Sequence, residues 1–177
     1  MRADHSRVVE GLVDSPVRVI AYEDLQCPDC ATYRVMLDEK LLPAYGARAA
    51  FEHREFPLPK HSWARQAAME ALFFHAARAE LGIAWRRHVL QSIRAITSEN
   101  FLDQVKTFAS ANGVAPAWAC AALDHAGYRG QVERDLQEGL ARGISRTPTV
   151  LVNGEPFVET FTCEQLSKAI DAALAGR

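Results

Sequence analysis

The order of apolar and polar positions divides the chain into segments of different texture. Val17 to Tyr22 is short, β-branched and mostly apolar, the pattern of a buried strand. Asp14-Ser15-Pro16 before it is a turn-forming group that a helix does not readily continue, so the first element is expected at Val17, after an N-terminal extension over 1–16. Leu25-Gln26 then leads into Cys27-Pro28. Proline suits the first helical position, where its missing N–H would be unpaired anyway, which places Cys27 at the N-cap. Good helix formers continue to about Leu42, and Pro43 and Gly46 break the pattern. Ala49 to Phe56 reads as a second strand before the Pro57-Leu58-Pro59 turn, completing a strand-helix-strand unit.

From His61 to about Arg142 the chain is alanine-rich and helical, with breaks expected near Gly82, Thr97-Ser98, Gly113 to Pro116 and Gly127 to Gly130; four or five helices fit. Val132, Leu136 and Leu140 keep a four-residue stride that predicts a narrow buried stripe. After Gly143 the period shortens. Thr149 to Val152 is a β-branched strand, Asn153-Gly154 a strong hairpin turn, and Pro156-Phe157-Val158 its returning partner. Thr162 with Gln165 forms a capping-box pattern, and Leu166, Ala169, Ile170 and Leu174 supply the inward stripe of a last helix. The fold class is α/β: one domain from 17–60 and 143–177, interrupted by a helical insert at 61–142.

An apolar fraction of 49% with 24% charged residues fits a chain that buries one sizeable core. A net charge of −2, with no block of like charges, gives no footprint for nucleic acid. No run approaches the about 18 apolar residues of a membrane span, and Met-Arg-Ala-Asp-His-Ser-Arg lacks the apolar core of a secretory leader. The sequence as given therefore points to the cytoplasm, or to the periplasm or exterior if a leader has been removed. No cofactor motif is present.

Four cysteines are too few for a disulfide scaffold, and two of them lie three apart. At a helix start this spacing puts the Cα atoms about 5 to 6 Å apart, within disulfide range. Cys27 sits where free N–H groups and the positive end of the helix favour a thiolate, so it is the expected nucleophile. Cys30, one turn inside, is expected to stay protonated until it resolves a mixed disulfide on Cys27. A zinc site would need a second half, but Cys120 and Cys163 stand alone without a His pair. A purely structural disulfide here would close a very short loop and constrain little.

Cys27-Pro28-Asp29-Cys30 after a strand, a helical insert, and Arg146-Thr147-Pro148-Thr149 opening a strand together resemble the thioredoxin fold in its DsbA-like form. The likeness covers most of residues 8–175, including Phe51 to Leu58 with its Phe-Pro-Leu loop. It implies a thiol-disulfide oxidoreductase acting on protein or peptide thiols and disulfides, with a further redox partner. It also implies a cis Thr147-Pro148 bond lying against the cysteines and offering backbone groups to a bound peptide. The family usually has a buried acid six residues before the first cysteine to relay the resolving cysteine's proton; here that position is Ala21, and Glu23 and Asp24 are read as solvated loop charges or as substitutes acting through water. Asp29 stands where strong oxidants carry histidine, and a carboxylate there disfavours the thiolate. Cys27 should then lie nearer thioredoxin, about 7, than DsbA, about 3.5. Oxidase and reductase share these residues, so direction stays open.

Cys120 reads as a buried small hydrophobe, Cys163 as a thiol favoured by its helix start, with a Cys120-Cys163 bridge as the other possibility. His5, His53, His61, His75, His88 and His125 form no triad and take surface or structural roles. Trp63 and Phe73-Phe74 are read as core. A peptide-binding or chaperone module using the Pro148 face is the main alternative. Glutathione conjugation and isomerase activity rank lower, the first because of the paired cysteines, the second because no dimerisation segment is visible.

Overall fold

The computed structural model describes residues 7–176. A five-stranded sheet has the order β1-β3-β2-β4-β5, from β1 (Val9–Gly11), β2 (Arg18–Glu23), β3 (Ala50–Glu55), β4 (Thr149–Val152) and β5 (Glu155–Val158). β2 and β3 run parallel, with Ala21 beside His53 and Glu23 beside Glu55; the other pairings are antiparallel. β1 corrects the expectation that structure begins at Val17. Its three residues pair with Ala50 to Glu52, too short a segment to announce itself by alternation.

The strand-helix-strand unit holds α1 (Pro28–Met36), a π-helical turn (Leu37–Leu41) and α2 (Leu42–Tyr45). Pro43 does not end the helix as expected. The Leu42 N–H reaches back to the Leu37 carbonyl, and this wider turn absorbs the proline, which has no N–H to give. Five helices then separate β3 from β4: α3 (Ala64–Ala77), α4 (Ala79–Gln91), α5 (Phe101–Ala111), α6 (Pro116–Ala122) and α7 (Ala126–Ala141). Gly82 lies inside α4, and the break falls at Arg78 instead. A Cβ at Gly82 would come within 2.5 Å of the His75 Cβ, so the glycine serves close helix packing. Gly127 and Gly130 likewise lie inside α7, which His125 caps by accepting the Gly127 N–H.

The buried face of α7 is Gln131, Val132, Asp135 and Gly139, while Leu140 is exposed. The predicted stripe is therefore turned by a residue. A Cβ at Gly139 would meet the Phe56 ring at 2.6 Å, so the helix sits directly on Phe56 and Tyr22. On this side of the sheet Glu52 receives Arg7, Arg18 and Arg54, and Arg54 also reaches Glu138. Asn153 and Gly154 both have positive φ, which suits a two-residue hairpin between β4 and β5. Thr162 and Gln165 form the capping box of α8 (Cys163–Ala175), which buries Leu166 and Ile170.

Two cores meet near the cysteines. One joins Val19, Ala21, Phe51, Val150 and Val152 of the sheet to Tyr33, Leu37, Leu41, Leu166 and Ile170. The other is aromatic and belongs to the insert: Trp85 packs on Phe74, Phe101 and Phe108, Trp63 stacks on Phe101, and Cys27 and Cys30 share the same cluster. No helix among the described residues is long and apolar enough to cross a membrane.

Candidate active site

The loop between β2 and α1 is folded around Asp24. Its carboxylate accepts the N–H of Gln26 on one oxygen and that of Leu58 on the other, both at 2.7 Å, while its carbonyl takes the Cys27 N–H at 3.0 Å. His61 Nδ1 lies 2.8 Å from the oxygen that binds Leu58. Gln26 Oε1 in turn accepts the Trp63 N–H at 2.8 Å. The Phe56-Pro57-Leu58 loop and the start of α3 are thereby fastened to the segment that carries the cysteines.

Cys27 is the N-cap of α1, in extended backbone, with Pro28 opening the helix. It is 5% exposed, and its thiol donates to the Thr147 carbonyl oxygen at 3.3 Å. A hydrogen bond from the Cys30 thiol, then the hydrogen bond with Thr147 and the main-chain N–H groups of Cys30 and Asp29, lower the Cys27 thiol to about 6 against the opposing effect of burial. Asp29 is exposed, and its main-chain N–H is one of the free helix-start donors that lower the Cys27 thiol. Cys30 is fully buried, and its sulfur accepts the Asp24 N–H at 3.4 Å. Burial pushes its thiol well up, and Cys27 and the charge of Glu23 push the same way. Thr147 and Pro148 are buried, Pro28 is exposed, and the Thr147–Pro148 bond is cis.

Beneath α1 the sheet is ionic. Glu10, Glu23, His53 and Glu55 line one face of β1, β2 and β3, and Arg34 and Arg86 descend on them from α1 and α4. His53 is 3% exposed and bridges two carboxylates, Glu23 Oε2 at 2.5 Å and Glu10 Oε1 at 2.9 Å. Arg86 joins Glu23, at 3.0 Å, to Glu55. Burial acts to raise Glu23, but His53 and Arg86 outweigh it and hold the carboxyl down at about 2. Glu55 moves the other way, to about 7, because burial exceeds what Arg86 returns. Glu23 and Asp24 are therefore not solvated loop charges; each is 1% exposed. The missed signal is the run Glu52-His53-Arg54-Glu55 between Phe51 and Phe56, since charges on both faces of a buried central strand must be paired.

The remaining sequence candidates disperse. All four cysteines are unbridged, and Cys120 and Cys163 are half-buried, so Cys120 is not the core thiol expected. Trp63 and Phe74 are buried as read, with Phe73 partly so. His5 lies outside the described residues. No group of three or more metal-ligating side chains is assembled among the described residues.

A thioredoxin family model matches residues 4–172. The chain belongs to the thioredoxin family. Among solved members of the same fold, oxidised BdbD from Bacillus subtilis superimposes with a TM-score of 0.87 at 18% identity, covering 97% of this chain and 94% of that one. The alpha-DsbA1 of Wolbachia pipientis gives 0.80 at 18% identity, over 96% and 91%. These likenesses establish a DsbA-like thioredoxin fold with the helical insert between β3 and β4. Curated sequence relatives are the Na(+)/H(+) antiporter NhaA 3 of Salinispora tropica, 28% identical over 168 residues, and the antiporter NhaA of Herminiimonas arsenicoxydans, 25% identical over 173. The thioredoxin-family chain spans about a quarter of the length of these relatives, 24% and 26%.

Proposed function

We propose that the chain exchanges disulfides with protein or peptide thiols through Cys27 and Cys30. The observation that carries this reading is the opposed pull on two neighbouring sulfurs: Cys27 is drawn down to about 6 and Cys30 well up. At neutral pH the first is a thiolate and the second a thiol, the states an attacking and a resolving cysteine need. In the reducing direction Cys27 attacks a substrate disulfide and releases one substrate thiolate. Cys30 then attacks the Cys27 sulfur, forming the Cys27–Cys30 bond and expelling the second substrate thiolate. The pair loses two electrons and the substrate gains them. The oxidising direction is the reverse, and a separate redox partner resets the pair.

Supporting roles follow from position. Pro28 fixes the helix start and Asp29 supplies a main-chain donor to the thiolate. Thr147 and Pro148 form the wall opposite Cys27 and offer main-chain groups to a polypeptide in mixed disulfide with it. Glu23 is the group that takes or returns the Cys30 proton, since its Oε1 is buried without a hydrogen-bond partner and its charge acts on Cys30. In our reading, segments 17–60 and 143–177 supply this machinery and 61–142 roofs it.

The test is trapping. Cys30→Ser, incubated with a disulfide-containing peptide, should accumulate a mixed disulfide on Cys27 that wild type does not retain. A reactive Cys27 that captures no peptide in the variant, while wild type also fails to exchange, overturns the reading.

A further inference from the structure

Resting on that exchange reading, we propose that His53 and Glu10 carry the Cys30 proton onward from Glu23, forming a path beneath the sheet face from the buried cysteine to the surface beside Arg87. Cys30 is fully buried, so its proton has no direct exit. From Glu23 Oε2 the next group is His53 Nδ1 at 2.5 Å, and from His53 Nε2 the next is Glu10 Oε1 at 2.9 Å. The far oxygen, Glu10 Oε2, lies 2.8 Å from Nη2 of Arg87, whose side chain is 38% exposed. Each intermediate group is a carboxylate or an imidazole. A cationic imidazole between two carboxylates donates to both and can release the proton of one nitrogen while keeping that of the other.

The charges around His53 set how the path works. Glu23 from β2 and Glu10 from β1 hold the ring, Glu55 lies two positions along on its own strand, and Arg34 from α1 and Arg86 and Arg87 from α4 surround the carboxylates. Burial favours neutral imidazole, but Glu23 and Glu10 outweigh it and the ring pKa is raised. Glu23 facing a cationic ring is a weak base, which conflicts with its taking a proton from so weak an acid as Cys30. The conflict is resolved by concerted movement. As the Cys30 proton reaches Glu23 Oε1, the Nε2 proton passes to Glu10, and the ring loses the positive charge that had held Glu23 ionised. Glu10, itself buried and held well below the usual carboxylate range by His53 and Arg34, keeps that proton only in passing and gives it up past Arg87 to the surface. One proton enters, one leaves, and Cys30 is left as the thiolate that closes the disulfide. The other branch, through Arg86 to Glu55, does not conduct, because a guanidinium does not give up its proton. His53 and Glu10 act through Glu23 and are positioning residues.

The experiment uses stopped-flow reaction of the reduced protein with 5,5′-dithiobis(2-nitrobenzoate) in a Cys120→Ala/Cys163→Ala background. The first release of chromophore reports Cys27 attack and the second reports resolution by Cys30. In the parent the second rate should vary shallowly between about pH 6 and 8. His53→Gln and Glu10→Gln should slow it at least tenfold at pH 7 and make it rise tenfold per pH unit, as Cys30 comes to depend on hydroxide, while the first release keeps its midpoint. If either folded variant retains the parent's second-release rate and slope, the path is overturned. Should His53→Gln fail to fold by circular dichroism, Glu10→Gln decides. A parent with no second release refutes the exchange reading itself, an outcome distinct from failure of the path.

Discussion

Cys27 and Thr147 lie 120 positions apart in sequence, yet the thiol of the first donates to the carbonyl oxygen of the second at 3.3 Å. That contact joins the first and last thirds of the chain at the mouth of the site, where the Cys30 thiol, Thr147 and the helix-start N–H groups together lower the Cys27 thiol and burial alone opposes them.

The balance of these contacts against burial is measurable. Alkylation of Cys27 by iodoacetamide should show a midpoint near 6 and, below it, fall about tenfold per pH unit. Cys30→Ala removes the strongest of the lowering contacts and should move the midpoint up. A midpoint that stays in place in the variant contradicts the assignment.

Arg86 is the cation shared by Glu23 and Glu55, and all three side chains are buried. Arg86→Leu leaves two buried carboxyls without it and should cost about 3–5 kcal/mol in urea unfolding, the range for breaking a buried pair from one side. A loss below about 1 kcal/mol would mean that water or a rearranged neighbour replaces the guanidinium.

Glu70 on α3 is fully buried, neither carboxyl oxygen has a hydrogen-bond partner, and burial raises its pKa to about 8. The folded state then keeps a proton that the unfolded chain releases near 4.3. Because the folded state binds more protons across this window, its contribution to stability falls as pH rises from about 4.5 to 8 and levels off above. Glu70→Leu should raise the melting temperature at pH 8 by roughly 4–10 °C and by much less at pH 4.5. Equal shifts at both pH values would remove the titration from the explanation.

Gly139 tests packing by its sign. On an exposed helical face, glycine to alanine stabilises by about 1 kcal/mol. Here the added methyl meets Phe56 and Tyr22, so Gly139→Ala should instead destabilise by about 1–3 kcal/mol. Chemical denaturation of the two proteins side by side decides between these.

What was legible beforehand is what depends on neighbours in sequence. The Cys27 N-cap, the Asn153-Gly154 hairpin and the Thr162–Gln165 box are each set by a few adjacent residues, and each lies where its local chemistry places it. The ionic layer was not legible because Glu10, Glu23, His53 and Arg86 come from four separate elements, and each looks like an ordinary lone charge until the parallel pairing of β2 and β3 aligns them. Gly82 misled for a related reason. A glycine's conformational cost marks a break only where nothing packs close, and at Gly82 the neighbouring helix does.

The two outer strands bear on how a client polypeptide can be held. β5 carries Pro156, which has no N–H to pair, beside exposed Glu155, and β1 is three residues long with the carboxylate of Glu10 turned inward. Both margins thus carry features that discourage another chain from joining the sheet. For the exchange proposed above, this leaves a client the strand ends, where Cys27 and Thr147 lie. Under the proposed exchange, so small a footprint would favour brief contact with a wide range of sequences.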